Sequence, residues 1–453
     1  MKRAVRLVGC IATAVLVCIA LPATEASHEE TVPPEVTAWL LDQAIPLETT
    51  DPTEPLDDLE PIREIIGDAK IIGLGEQTHG TSEFFKMKHR AFRFLVEEMG
   101  FRIFAFEADW LGVIELNACL LPGGPEIATA FRNLGVWAWQ CDEVMELLQW
   151  MKAFNEATEG EDYVQIVGLD IPFYMAMDAV VAARDYLARV APEESEEARR
   201  IMETEFPNAL RSLQRAFSAP GASISDPGRE EELVRVLGPV VRWMEERQDA
   251  CIAASSNAEF TLRLRGVELA SEILLLFSSK EEGVAQTVRD RVMAENVGWW
   301  MDSLGVSRAA IWAHNAHVSR WLGEADSWIQ MGYFLDETYG EDYVPVAFSF
   351  AEGDFTALHG SSPKSVGAFP PIPGSYEEAF ESTGHDRFML DLRTIGTDPV
   401  VDEWMQIERG FRSVGALYYG SSEAGWEYPV VLPDGFDIVI HMKTSTPTAP
   451  WIP

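Results

Sequence analysis

Residues 69–75 are Ala69-Lys70-Ile71-Ile72-Gly73-Leu74-Gly75, a short apolar run that ends in glycine. Such a run predicts a buried strand. Beyond it, apolar residues from Phe84 to Met99 recur at helical spacing, and Gly100 follows as a C-terminal cap. We therefore predict a helix over Ser82–Met99. A buried strand followed closely by an amphipathic helix is typical of a β-α-β unit with parallel strands.

The same alternation continues on both sides of a different central region. Further strands are predicted at Arg102–Glu107, Tyr163–Leu169, Ala309–Ala313, Tyr343–Phe350, Arg387–Asp391 and Phe436–Ile440. Helices are predicted at Glu35–Gln43, Asp109–Leu121 and Glu143–Asn155, a surface loop at Pro363–Pro373 and a tail at Thr444–Pro453. Between Met175 and Ser303 only helical patterns occur, with a loop at Ala219–Gly228. The fold class is therefore α/β, with a mostly parallel central sheet flanked by helices and an all-helical inserted subdomain.

The first 26 residues differ in character from the rest. Lys2, Arg3 and Arg6 precede an apolar run from Leu7 to Leu21, and small residues near Ala26 offer a cleavage site. This is the pattern of a secretory signal, and the run is short for a membrane span. We predict an exported protein, periplasmic or extracellular, without stable membrane association after cleavage. The predicted organisation is 1–26 signal, 27–174 first part of the core, 175–303 helical insertion and 304–453 second part of the core.

The charge excludes some partners. The 453 residues include 73 Asp and Glu against 35 Lys and Arg, which gives a net charge of −38. Such a surface repels phosphate backbones and anionic membranes, so we expect no nucleic-acid partner. Three cysteines follow the signal segment, Cys119, Cys141 and Cys251, and they match no zinc template. They form either one disulfide and a spare thiol or three buried thiols.

Polar residues follow several of the predicted strands. Glu76 and His79 lie in Gly73-Leu74-Gly75-Glu76-Gln77-Thr78-His79-Gly80, between a strand and a helix. Ligands of open parallel sheets bind beyond the carboxyl ends of the strands. A histidine there can act as a general base, because its ordinary pKa is near neutral. A glycine-rich turn with a solvated histidine is the alternative.

Two further strands end in carboxylates. Glu107, in Phe106-Glu107-Ala108-Asp109-Trp110, is predicted at the end of a buried strand, where an unpaired charge is rare. Asp109 is predicted as a helix N-cap. Asp170 follows the next strand and is a supporting residue at the same edge.

A third segment, Ile311-Trp312-Ala313-His314-Asn315-Ala316-His317-Val318, places two histidines after a strand. His314 and His317 are candidates for metal binding, for acid–base or oxyanion chemistry, or for a structural role. Arg289 and Arg291 lie on the preceding helix and either hold an oxyanion or pair with neighbouring carboxylates. Lys88, His89 and Arg90 are predicted as surface or packing residues.

Several familiar catalytic motifs are absent from the sequence. It contains no Gly-x-Ser-x-Gly elbow, no Walker A loop, no His-Glu-x-x-His and no Rossmann glycine fingerprint. What remains is histidine and glutamate at strand ends, which suits direct activation of water.

In these segments the chain resembles the erythromycin esterase family, over roughly residues 35–442. The resemblance is carried, in order, by 75–84, 106–110, Gly135-Val136-Trp137-Ala138-Trp139, 289–296, 312–318, Pro373-Gly374-Ser375-Tyr376-Glu377 and Arg412-Ser413-Val414-Gly415-Ala416. Family members more often have alanine at the position of Gln77.

The resemblance implies an α/β core with a helical insertion and hydrolysis of an ester or lactone without a covalent intermediate. It implies that His79 is the general base and that Glu107 orients His79 or the water. His314 and His317 would polarise the carbonyl or protonate the leaving alcohol. Arg289 would stabilise the oxyanion, and Arg291 is the less favoured candidate for the same role. We add Glu76, Thr78, Asp109, Asp170 and Arg291 as residues that bind substrate or support the site.

Macrolide lactones are the substrates of only part of the family, so we expect a small-molecule ester or lactone of open identity. No cofactor is expected. One alternative is a hydrolase whose divalent metal is held by Glu76, His79, Glu107, His314 and His317. The other is an exported binding protein without turnover.

Overall fold

The structure is a computed structural model. It describes residues 31–134, 136–160, 162–190, 196–205, 207–208, 211, 227–278, 282–323, 328–359, 362–396, 398–418 and 427–451. The predicted signal segment, 1–26, lies outside these residues, as does most of the loop predicted at 219–228.

Among the described residues, strands occur in two groups, four before the central helical region and seven after it. They are β1 Ile45–Pro46, β2 Ile71–Leu74, β3 Ile103–Asp109, β4 Gln165–Asp170, β5 Ala309–Trp312, β6 Tyr343–His359, β7 Ser362–Gly367, β8 Arg387–Asp391, β9 Arg409–Arg412, β10 Glu427–Val430 and β11 Ile438–Ser445.

One large sheet has the strand order β1-β8-β11-β6-β2-β5-β3-β4, and β7 pairs with β6. The six strands from β11 to β4 in this order are parallel to their neighbours, whereas β8 is antiparallel to β11 and to β1. A separate two-stranded sheet consists of β9 and β10. The predicted α/β class with a mostly parallel sheet is confirmed.

The helices lie along the whole chain. They are α1 Pro34–Gln43, α2 Glu60–Ile66, α3 Ser82–Met99, α4 Gly112–Leu120, α5 Ile127–Asn133, α6 Asp142–Ala157, α7 Phe173–Val190, α8 Glu196–Arg200, α9 Pro227–Glu246, α10 Gln248–Ala253, α11 Asn257–Ser278, α12 Glu282–Leu304, α13 Asn315–Val318, α14 Met331–Tyr339, α15 Tyr376–Glu381, α16 Pro399–Met405 and α17 Leu432–Gly435. Among the described residues, no helix is both long and apolar enough to cross a membrane.

The two faces of the sheet carry separate hydrophobic cores. Successive residues of a strand point to opposite faces, so Ile71 belongs to one core and Ile72 to the other. Helices α7 and α9 to α12 contribute to the first core, while α2 to α6 contribute to the second. The described elements between β4 and β5 are all helical, as the sequence predicts. The segment boundaries at residues 174 and 303 stay predictions.

Local prediction succeeded where the periodicity was strong. Helix α3 spans Ser82–Met99 as predicted, and Gly100 ends it in the left-handed conformation, with φ of 74°. Strand β8 also has its predicted bounds.

Other boundaries were wrong. The helix predicted from Asp109 begins at Gly112, because β3 extends to Asp109 and the carboxylate of Asp109 accepts the N–H of Leu111 instead. The predicted loop at Pro363–Pro373 contains most of β7, whose exposed, polar sequence lacks the apolar signal of a strand.

The predicted tail was also partly wrong. Strand β11 continues to Ser445, and the residues after it remain attached to the core. Thr448 donates its N–H to Gly80, and Ala449 donates to the carboxylate of Glu143. Backbone hydrogen bonds of this kind leave no periodic signal in the sequence.

Candidate active site

Four adjacent strands bring the predicted polar residues to one edge. In the sheet the order is β2, β5, β3 and β4. Glu76 and His79 follow β2, His314 follows β5, Glu107 lies near the end of β3 and Asp170 ends β4. Because these strands are parallel, their carboxyl ends meet.

His79 is held by Glu76. The Nδ1 atom of His79 is 2.6 Å from Glu76 Oε1, and both side chains are buried. With the proton on Nδ1 donated to the carboxylate, Nε2 carries a lone pair. No described residue hydrogen-bonds that Nε2. The ring is therefore arranged as a base that can take a proton from water.

The other oxygen of Glu76 has its own donors. Glu76 Oε2 accepts hydrogen bonds from Lys88 Nζ at 2.5 Å and from Trp312 Nε1 at 2.8 Å. Lys88 is fully buried and lies 4.7 Å above the Trp312 ring. Burial lowers the pKa of Lys88 to about 8, against the opposing charge of Glu76. Lys88 and Trp312 thus fix the Glu76 carboxylate, and the carboxylate in turn orients His79.

Glu107 links Arg289 on α12 to the two histidines that follow β5. Its Oε1 lies 2.9 Å from an Nη of Arg289 and 3.1 Å from His317 Nε2, and its Oε2 accepts the N–H of His314. Burial favours the neutral acid, but the charges of His317 and Arg289 outweigh it and hold the pKa of Glu107 well below its usual range. The carboxylate in contact with His79 is Glu76 rather than Glu107, and the alternative that Glu107 orients the water stays a prediction.

His317 stands between two carboxylates. Its Nδ1 is 2.7 Å from Asp290 Oδ1, and its Nε2 faces Glu107. Burial disfavours the charged ring, but Asp290 and Glu107 together overcome this and raise the pKa of His317 to about 10. His317 is therefore a cation at neutral pH.

His314 has a different state. Its Nε2–H donates to the carbonyl oxygen of Gln77 at 3.1 Å, and its Nδ1 accepts the N–H of Ala316. Burial lowers the pKa of His314 to about 3. The ring is neutral and both nitrogens are bonded to backbone, so neither is available to a substrate while these bonds last.

The two predicted arginines are separated. Arg289 donates through Nε and an Nη to Asp170 at 2.8 and 3.0 Å, and it also contacts Glu107. Arg291 instead pairs with Glu272 and Glu295 on the outer side of the helix. The prediction of Arg291 as a site residue is not supported by its contacts, since two steps along a helix turn a side chain by about 200°.

Asp109 and Thr78, which the sequence predicts as supporting residues, are buried but do not hydrogen-bond to His79. Asp109 is buried opposite Asp170 in the β3–β4 pairing, and burial raises its pKa to about 6. Thr78 is buried, and its hydroxyl oxygen lies 2.8 Å from that of Thr81. Thr78 therefore stabilises the turn that carries His79.

The sequence reasoning missed Lys88 and Asp290. A signal for Lys88 existed: it lies four residues from both Phe84 and Phe92, on the buried face of α3. A lysine on such a face needs a buried partner. Asp290, between two arginines on α12, has no comparable signal.

The arrangement of the candidate metal ligands does not by itself support the metal alternative. Within the described part of the chain, no group of three or more His, Cys, Asp or Glu is arranged to hold a metal. His314 uses both nitrogens on backbone groups, and His79 uses Nδ1 on Glu76.

Cys119, Cys141 and Cys251 are buried free thiols, which selects the second of the two predicted arrangements.

The sequence profile of erythromycin esterase matches residues 96–445. The chain belongs to the erythromycin esterase family. The matched stretch begins inside α3, after His79, and includes Glu107, Arg289, His314 and His317. Membership supports an esterase-like hydrolase that acts on a small-molecule ester.

Two relatives are similar to this chain over most of their length. The chain is 23% identical to erythromycin esterase type II of Escherichia coli over 394 residues, covering 80% of this chain and 89% of that protein. It is 25% identical to a putative hydrolase of Bacillus subtilis, covering 90% of this chain and 91% of that protein.

Two solved structures share the fold. A Bacillus cereus protein superposes with a TM-score of 0.76 at 23% identity, covering 92% of this chain and 98% of its own. An erythromycin esterase mutant in its open conformation superposes with a TM-score of 0.64 at 15% identity, covering 89% and 98%.

Proposed function

We propose that the protein hydrolyses a carboxylic ester or lactone with water activated by His79, without a covalent intermediate. The observation that carries the proposal is the buried 2.6 Å contact between His79 Nδ1 and Glu76 Oε1. It fixes the tautomer that leaves Nε2 as the base. A serine nucleophile in a Gly-x-Ser-x-Gly elbow is absent from the sequence.

The proposed reaction has two steps. His79 Nε2 takes a proton from water, and the oxygen of that water attacks the carbonyl carbon to form a tetrahedral oxyanion. The bond to the leaving alkoxide then breaks, and the proton on His79 passes to the alkoxide oxygen. The products are a carboxylic acid and an alcohol.

Positive charge beside the base supports the intermediate. His317 and Arg289 are both cationic, His317 is buried and Arg289 is part-buried, and each contacts Glu107. A fixed cation in a buried site stabilises a developing oxyanion far more than a solvated one. We assign this stabilisation to His317 and Arg289 together, since each cation contacts Glu107 and one further carboxylate.

The substrate is proposed only by class. The named relatives include erythromycin esterases, which makes macrolide lactones one set of compounds to test. The glutamine at position 77 and the predicted signal at 1–26 both set this chain apart from the expectation for a resistance esterase. We also propose that residues 1–26 direct export, which N-terminal sequencing of the protein recovered from each cellular fraction tests.

The experiment is hydrolysis of aryl esters, lactones and macrolides by the wild type and by His79→Ala, each with and without a chelator. We expect turnover that survives the chelator and falls at least 10²-fold in the variant. His385→Gln, a half-buried histidine before β8, is the matched control and keeps wild-type activity.

Two results would contradict the proposal. Loss of turnover on chelation would favour the divalent-metal hydrolase. Ligand binding without turnover in either form would favour the exported binding protein.

A further inference from the structure

Asp290 is a buried carboxylate that the proposed reaction does not use. It is fully buried on α12, in the position next to Arg289. Its Oδ1 lies 2.7 Å from His317 Nδ1, and among the described residues neither atom has another polar partner. Its Oδ2 accepts a hydrogen bond from Trp328 Nε1 at 2.6 Å. The Trp328 ring also packs edge-on against the His317 ring.

The contact between Asp290 and His317 depends on charge. The two atoms are close, but their directions are not those of a straight hydrogen bond. Attraction between a carboxylate and an imidazolium is less directional than a neutral hydrogen bond, so a charged ring fits this contact.

The opposite side of His317 requires the same charge state. Glu107 Oε1 is 3.1 Å from His317 Nε2, and an Nη of Arg289 is 3.2 Å from the same atom. A neutral ring with its proton on Nδ1 would accept from Arg289, but its lone pair would then face the Glu107 carboxylate. A doubly protonated ring instead donates one N–H toward each carboxylate.

We propose that Asp290 is a positioning residue that keeps His317 doubly protonated, so that His317 supplies fixed positive charge to the oxyanion while His79 alone acts as the base. The assignment rests on the proposed function of the same site. It gives the two histidine–carboxylate pairs opposite tasks. Glu76 holds a ring whose Nε2 is free to accept a proton, whereas Asp290 holds a ring with no free lone pair.

The charges around His317 favour this state together. Asp290 and Glu107 oppose the effect of burial and raise the pKa of His317 to about 10, while Arg289 acts in the other direction. His314, the remaining nearby titratable group, is neutral. Burial raises the pKa of Asp290, but the charge of His317 opposes that rise. The pair therefore shares a proton that the more basic imidazole holds.

The test is a titration of His317 by NMR in full chain labelled with ¹⁵N-histidine. The signals are assigned by their loss in His317→Gln. Wild type, Asp290→Asn and the milder Trp328→Phe are compared, and kcat for an aryl ester is measured over the same pH range. The matched control is Asp58→Asn, which removes a buried carboxylate that pairs with Arg90 outside the site.

We expect His317 to stay doubly protonated through pH 8 in the wild type and in Asp58→Asn. In Asp290→Asn its midpoint should fall by roughly 1–3 pH units, the usual effect of one adjacent charge. The alkaline limb of kcat should move by the same amount, with a smaller shift in Trp328→Phe.

Three outcomes separate the possibilities. A neutral His317 in the wild type at pH 7, or an unchanged midpoint in Asp290→Asn, overturns the inference. A shifted midpoint with an unmoved kcat profile overturns the catalytic part of it. A shifted midpoint in a protein that hydrolyses no ester contradicts the proposed function and supports the charge-holding role of Asp290.

Discussion

Lys88 Nζ lies 2.5 Å from Glu76 Oε2, and His79 contacts Oε1, the other oxygen of the same carboxylate. The buried arrangement is thus a lysine, a glutamate and a histidine in a line. The lysine neutralises a carboxylate that is fully buried, which lowers the cost of burying it. The glutamate in turn fixes the tautomer of the base.

The first prediction concerns Glu76. The Glu76→Gln side chain has the same shape as glutamate. Its amide N–H can donate to His79 Nδ1, however, which favours the tautomer with the proton on Nε2. We expect kcat to fall about 10²–10⁴-fold, with a small change in KM, because the loss is confined to proton transfer. Steady-state kinetics on the best ester of the panel measure it. Glu98→Gln, an exposed glutamate that pairs with Arg63, is the control. A Glu76→Gln enzyme within threefold of wild type would remove Glu76 from the mechanism.

The second prediction concerns Gln77, where the chain departs from its family. The side chain of Gln77 donates to Glu377 at 2.5 Å and accepts the N–H of Phe350 at 3.0 Å. The backbone carbonyl oxygen of Gln77 accepts from His314 and from Val414. Gln77→Ala removes both side-chain bonds and leaves buried polar groups without partners. We expect unfolding free energy to fall by about 1–3 kcal/mol, measured by urea denaturation.

A double-mutant cycle with Glu377→Gln gives the matched control for Gln77. If the two side chains act as one unit, the coupling free energy is about 0.5–3 kcal/mol. Purely additive losses would show that the 2.5 Å contact contributes nothing specific.

The sequence predicted the edge of the sheet better than the contacts made there. Strand ends can be read from apolar runs, so Glu76, His79, Glu107, His314 and Asp170 were all placed at one edge, as the structure has them. Which carboxylate holds which histidine depends on side-chain directions after each strand, and periodicity says nothing about these. The contact of Glu76 with His79 therefore could not be read from the sequence, and the resemblance implied Glu107 as the residue that orients His79 or the water.

Elements without apolar patterns escaped prediction for a related reason. Strand β7 is mostly exposed, and β9 and β10 are four residues each, too short to show a periodic apolar pattern. Arg291 was included because it shares a segment with Arg289, although helical geometry places the two on different sides of α12. Tertiary context settled each of these points.

The third prediction concerns close backbone packing behind the site. A Cβ at Gly80 would lie 1.9 Å from the carbonyl oxygen of Thr356, and backbone cannot yield as a side chain can. We expect Gly80→Ala to lower unfolding free energy by roughly 1–3 kcal/mol or more and to reduce turnover, because His79 is the adjacent residue. Gly266→Ala is the control: it lies within α11, its nearest contact would be 3.6 Å away, and a gain of about 0.5–1 kcal/mol is expected. Equal stability of the two variants would contradict the packing argument.

The fourth prediction is a pH dependence of stability that comes from His317. Its pKa is raised to about 10 in the folded state, against an ordinary value near 6.5. Between these values the folded protein binds a proton that the unfolded chain has released, so the contribution is complete below about pH 6.5 and disappears as pH rises toward 10. We expect the stability difference between wild type and His317→Gln to shrink over that window, with a slope approaching about 1.4 kcal/mol per pH unit.

Denaturation at a series of pH values measures this slope, and His441 supplies the control. His441 is buried beside Ser349, and burial lowers its pKa to about 3. Above about pH 6.5 its ring is neutral in both the folded and the unfolded state, so the difference between wild type and His441→Gln should be flat across the same window. Below that pH the His441 contribution is lost as the unfolded chain takes up its proton, which is the opposite sign. A flat profile for His317→Gln would mean that His317 is not a cation in the folded protein, since only a ring that keeps its proton can produce the decline.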